Sequence, residues 1–80
     1  MHLAKMTAVI EQLYMQHFYV GQKWIADDSI FGTFYGEIIE VWDDGRSGIV
    51  IITDDQGNVL DTFTGSAAIF QASGEWRPAE

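Results

Sequence analysis

The sequence predicts an α+β domain. An N-terminal helix over residues 1–20 precedes a strongly bent five-stranded antiparallel sheet over residues 21–77, and residues 78–80 form a tail. Three observations carry this expectation. Before Gly21 the apolar residues recur at helical spacing, with no glycine or proline among them. After Gly21, short β-rich runs alternate with turns rich in Asp and Gly. Near the C-terminus, Gly65-Ser66 breaks the strand pattern before one last short run.

The helix is the first element. Leu3, Met6, Ile10, Leu13, Tyr14 and His17 fall on one face, which Val9 and Val20 widen. Lys5, Gln12 and Gln16 lie opposite, as a solvated side should. Ala8, Met15 and Tyr19 share that side, so the helix is more apolar than packing on one side requires. Gly21 supplies the stop.

Strands follow. Residues 23–26 read as the first, with Asp27-Asp28-Ser29 as a loop. Residues 33–42 read as a longer second strand, bent or bulged at Gly36. Asp43-Asp44-Gly45-Arg46 is a hairpin signal, because Asp-Gly accepts the positive φ of a tight turn. The third strand, residues 47–53, is apolar on both faces through Ile49-Val50-Ile51-Ile52. Asp54-Asp55-Gln56-Gly57 turns into a fourth strand over residues 58–64. Ser66 is a good cap for one helical turn through Phe70. Ser73-Gly74 turns again, Glu75-Trp76-Arg77 forms a fifth strand, and Pro78 ends it.

Five short strands with a helical turn before the last resemble the SH3-like barrel, which is favoured over an open bent sheet. Gly21-Gln22-Lys23-Trp24, then Gly36-Glu37-Ile38-Ile39-Glu40-Val41-Trp42, is similar to the opening strands of small SH3-like proteins of phages and mobile gene cassettes. Among these are the type II dihydrofolate reductases, tetramers around one central pore. The likeness is a strand pattern and covers only those segments. That family's pore-lining V-Q-I-Y run has no counterpart; Leu60-Asp61-Thr62-Phe63 stands nearest to it. The resemblance therefore implies a fold and carries no activity over.

Eighty residues make one domain with a thin core. Such a core leaves net stability on the order of ~5 kcal/mol. No cysteine is present, which excludes disulfides and fits a reducing, cytoplasmic setting. Glu11, Gln12 and Gln16 interrupt the early apolar run, so neither a signal peptide nor a membrane span is expected. Twelve acidic residues face only Lys5, Lys23, Arg46 and Arg77, giving a net charge of −8. That charge argues against direct contact with nucleic acid or an anionic membrane. Hydrophobic residues reach 48% and aromatics 14%, more than a thin domain readily hides, which predicts an apolar contact surface.

Candidate chemistry is sparse. The pairs Asp27-Asp28, Asp43-Asp44 and Asp54-Asp55 suit oxygen-ligated cations or plain turns. The spacing around Asp54 does not match a calcium loop, so turn chemistry is expected, with no metal and no cofactor. Glu37 and Glu40 are three apart on a strand and face opposite sides unless a bulge intervenes. No acid–base pair, and no catalytic residue, follows from them. His17 stands alone on the helix face, with no Ser or Cys spaced as a nucleophile. The rings are more informative. Phe34 and Trp42 share one parity of the second strand and Tyr35 takes the other, so one set needs cover from the helix, a subunit or a ligand.

These readings converge on a non-enzymatic binding or assembly module, a homodimer or tetramer with Tyr14, His17 and Tyr19 at its interface. An alternative is a small-molecule binder or enzyme with a pocket between subunits. Trp24, Tyr35 and Trp42 would line that pocket, with Glu37 or Glu40 as polar anchor. A third reading is an acidic inhibitor that mimics nucleic acid and binds a basic protein.

Overall fold

Turn chemistry divides the chain into strands, as a computed structural model of residues 15–79 shows. The strands are β1 (Lys23–Asp28), β2 (Gly32–Trp42), β3 (Ser47–Thr53), β4 (Val59–Ser66) and β5 (Arg77–Pro78). One helix, α1 (Ala67–Ala72), precedes β5. The sheet order is β4-β3-β2-β1-β5, and every neighbouring pair is antiparallel. Between β2 and β3, Asp43, Asp44 and Gly45 all take positive φ, and the Arg46 N–H closes the turn on the Asp43 carbonyl at 3.0 Å. Between β3 and β4, Asp54 Oδ1 accepts the N–H groups of Gln56 and Asn58, each at 2.9 Å.

The expected α+β architecture is not what forms. The described chain is a sheet-rich fold with a single short helix. Residues 15–19 have no helical structure, and a turn at 20–21 leads into β1. Residues 1–14 lie outside the described residues. Long-range bonds at Gln16 and Phe18 explain why the expected helix does not reach these residues. The Phe18 N–H donates to the Gly45 carbonyl at 2.7 Å. The Gln71 side chain grips Gln16 twice: its Oε1 accepts the Gln16 N–H at 3.0 Å, and its Nε2 donates to the Gln16 carbonyl at 2.6 Å. These bonds occupy backbone groups that a helix would have used, so tertiary contacts override local propensity. Gly21 is a turn residue with φ of 90° rather than a helix stop. Val20 is exposed rather than part of an apolar stripe. Nor does a strand ladder close a barrel among the described residues: β4 and β5 are the two ends of the sheet.

The core lies on one face of the sheet. Trp24, Ala26, Ile38 and Val50 point into it, Phe63 packs against it, and Phe18 and α1 cover it. Phe70 is its hub. Its ring lies 5.7 Å from Phe18, 5.5 Å from Trp24, 5.2 Å from Phe63 and 5.0 Å from Trp76. These are edge, tilted and stacked contacts of the kind that add to area burial. The short helix is what brings Phe70 there. Ser66 Oγ accepts the Ile69 N–H at 3.1 Å, and Ala67 and Phe70, three apart, turn inward.

Two glycines admit Phe18. A Cβ on Gly48 would lie 2.5 Å from the Glu40 carbonyl oxygen and 3.0 Å from the Phe18 ring. A Cβ on Gly45 would lie 2.5 Å from the Phe18 carbonyl oxygen. The absence of side chains there lets the His17–Phe18 stretch lie directly on the β2–β3 hairpin.

The bulge is not at Gly36. The register of β2 against β3 shifts between Ile38 and Glu40, so Ile39 is the extra residue. Gly36 stays in register opposite Trp24 and Ile52. One extra residue reverses the parity of everything beyond it. Glu40 then pairs with Ile49 and Trp42 with Ser47, which share a face with Ile51, the partner of Glu37.

Candidate functional site

The second face of the sheet carries the candidate site. By register it presents Lys23 and Ile25 from β1, Tyr35 and Glu37 from β2, and Ile49, Ile51 and Thr53 from β3. The bulge adds Glu40 and Trp42. Tyr35, Ile39 and Trp42 stay exposed there, whereas comparable residues on the other face are buried. A concavity of about 450 Å³ opens between Lys23, Tyr35, Gly36, Glu37, Ile39, Ile51 and Thr53. Lys23 Nζ and Glu37 Oε1 stand 2.7 Å apart on it, and both side chains are about half exposed. An ion pair in that position contributes little to stability and is free to re-partner.

Of the residues expected to line or anchor a pocket, the structure brings Tyr35 and Glu37 together in this concavity. Trp24 belongs to the opposite face and is only 1% exposed. Its Nε1, like the Oε1 of neighbouring Gln22, is buried without a hydrogen-bond partner among the described residues. Trp42 lies on the outer face, beyond the bulge and outside the concavity's lining. Glu37 and Glu40 do share a face, because the bulge intervenes. Glu37 is already engaged by Lys23. His17 and Tyr19 are exposed on the segment that enters β1, near the β2–β3 turn rather than on the concave face. Tyr14 lies outside the described residues.

A second surface was not anticipated. The turn joining β1 and β2 holds Ile30 and Phe31 out in solvent, 81% and 76% exposed. Asp28 fixes this tip: its Oδ1 accepts the N–H groups of both residues, each at 2.8 Å. Those two donors hold the Asp28 carboxyl below the usual Asp range. Asp27, beside it, is also lowered, first by the Arg77 guanidinium at 2.8 Å and then by the Thr33 hydroxyl at 3.0 Å. The sequence did hold a signal for the tip. Two large apolar residues stand between Asp28-Ser29 and Gly32, where turn chemistry alone calls for polar residues.

The other acidic pairs perform turn chemistry. Asp54 is lowered by the Asn58 amide at 3.0 Å and by the backbone donors of its own turn. Asp43 meets Arg46 at 3.5 Å across exposed space. Among the described residues no three His, Cys, Asp or Glu side chains gather as metal ligands would, and no helix is long and apolar enough to cross a membrane. No family model, curated protein or solved structure matches the chain.

Proposed function

We propose that the protein is a non-enzymatic assembly module that associates with further copies of itself through the outer face of its sheet. The supporting observation is the concave apolar surface built from Tyr35, Ile39 and Ile51. A small domain gains by burying such a surface, and symmetric dimers are the commonest way to do it. The edges of the sheet suit this purpose less well. β5 is two residues long and ends in Pro78, and on β4 the Asp61 carboxylate accepts the Thr62 N–H at 2.7 Å. A chain without cysteine suits work in a reducing compartment such as the cytoplasm. Light scattering of the full chain across micromolar concentrations tests the proposal: a mass of two or more chains is expected, and a strictly monomeric protein overturns it.

The volume of the concavity favours a second reading, a small ligand held over Tyr35 with Lys23 and Glu37 as polar anchors. Tyr35 sits in the lining and reports occupancy. A change in tyrosine fluorescence on titration with aromatic acids and amines, lost in Tyr35→Leu, would favour it over self-association.

A further inference from the structure

We propose that the Ile30–Phe31 tip of one copy seats in the outer-face concavity of a second copy, and that the second copy returns the contact. This rests on the self-association reading and specifies how it is made. Two separate features of the β1–β2 hairpin carry it. At one end stands an apolar knob, the most exposed pair of large hydrophobic residues among those described. Toward the other end, on the outer face, lies an apolar hollow.

Knob and hollow are spaced for exchange. The pair Lys23 and Glu37 opens the hairpin's register and the pair Asp28 and Gly32 closes it. At about 3.4 Å per residue the tip stands roughly 20 Å from the hollow. Two copies laid antiparallel about a two-fold axis therefore place each tip over the other's hollow. Such a contact is isologous and closes at two chains. A rigid, prearranged tip also loses little freedom on docking, since Asp28 already holds both of its N–H groups.

Charge does not bar a second copy at the contact itself. The chain is strongly acidic, yet Asp27 at the tip and Glu37 at the hollow are paired with cations of their own chain. Asp27 meets Arg77 and Glu37 meets Lys23, while Asp28 keeps its charge, spread over two backbone donors. Docking brings no bare like charges together at the hollow itself. The net charge of −8 still opposes approach at long range. Salt should therefore strengthen the association by screening that repulsion. A basic partner docked on the same tip would show the opposite salt dependence.

A chain without cysteine makes the test clean. Ile30→Cys and Thr53→Cys are prepared as separate full-length proteins, mixed, and oxidised gently. Position 30 belongs to the tip and position 53 to the rim of the hollow. The mixed 30–53 disulfide is expected to form at least about tenfold faster than either self-pair, because docking raises the effective concentration of that pair alone. Phe31→Ser, a change on the exposed tip, is expected to abolish the dimer while leaving the denaturation midpoint of dilute, unassociated protein unchanged. A dimer that persists in Phe31→Ser, or that cross-links without preference, overturns the tip-in-hollow contact and leaves the assembly module standing. An association that weakens as salt rises overturns it as well. A monomeric wild-type chain overturns both.

Discussion

On one face the sheet presents Trp24, Ile38, Val50 and Phe63, and Phe18 with α1 closes over them. On the other it presents Tyr35, Ile39, Ile49 and Ile51, and several of these remain open to solvent. The two faces draw on similar residue types. What separates them is the cover available: among the described residues, the stretch around Phe18 and the α1 turn both return to the first face. Stability should therefore be concentrated on the core face and association on the outer one. Substitutions can break or sharpen that division.

The largest effect belongs to Phe18. It is buried and makes edge contacts with Trp24 and Phe70 at 6.2 and 5.7 Å. Phe18→Ala leaves a cavity that costs about 3–5 kcal/mol, most of the stability expected of a domain this small. Urea denaturation followed by tryptophan fluorescence should show an early midpoint or no folded baseline. A loss below about 1 kcal/mol would mean that Phe18 does not close the core.

Gly48→Ala comes next. The added methyl group would press on the Glu40 carbonyl oxygen and the Phe18 ring. The overpacking should cost about 1–3 kcal/mol by the same measurement. Gln71→Ala follows, at about 1–2 kcal/mol, because the Gln16 backbone loses two partners and the Ala67 carbonyl one. Faster hydrogen exchange at the Gln16 amide would localise the effect, and unchanged exchange would count against the clamp.

Acid acts on the turns. The carboxyls of Asp27, Asp28 and Asp54 are all lowered in the folded chain. A lowered folded value means stability that is fully present above the unfolded Asp value of about 3.9 and is lost as pH falls through the folded values. The wild-type midpoint should therefore be insensitive to these groups near neutrality and decline below about pH 4. Asp54→Ala removes one contributor, so the difference between variant and wild type should narrow as the pH drops. A gap that widens in acid would contradict the sign.

How far these features were legible in the sequence depended on the range of the interactions behind them. Strand positions were legible because their limits are local: Asp54 through Gly57 and Asp43 through Gly45 carry their own turn chemistry. The bulge at Ile39 was not, since nothing in Ile38-Ile39-Glu40 announces it and the mismatch exists only against β3. It put Trp42 and Glu40 on the opposite face from a simple alternation. Residues 15–18 were misread for a related reason. Their spacing fits a helix, while the bonds that hold them come from Gly45 and Gln71, far along the chain. At the candidate site, strand parity separated Tyr35 from Phe34, and Glu37 stood out only as one of two polar anchors. Lys23, Ile39, Ile51 and Thr53 join them only through register.

The smallest effect on stability should accompany the clearest effect on assembly. Ile39 is about half exposed at 48%, it is the extra residue of the bulge, and it lines the hollow. Ile39→Thr keeps the β-branched shape that suits a strand and removes apolar area. With no tightly packed neighbours to leave a cavity, the folded monomer should lose no more than about 0.5 kcal/mol. In the proposed assembly the same position would be buried against the second copy, and the hydroxyl would have to be desolvated there. If the wild type associates as proposed, light scattering should then report monomers at the same concentration, although the denaturation midpoint measured on dilute protein is unchanged. If the midpoint falls together with the mass, Ile39 serves the core after all, and the division of labour between the two faces fails at its most exposed point.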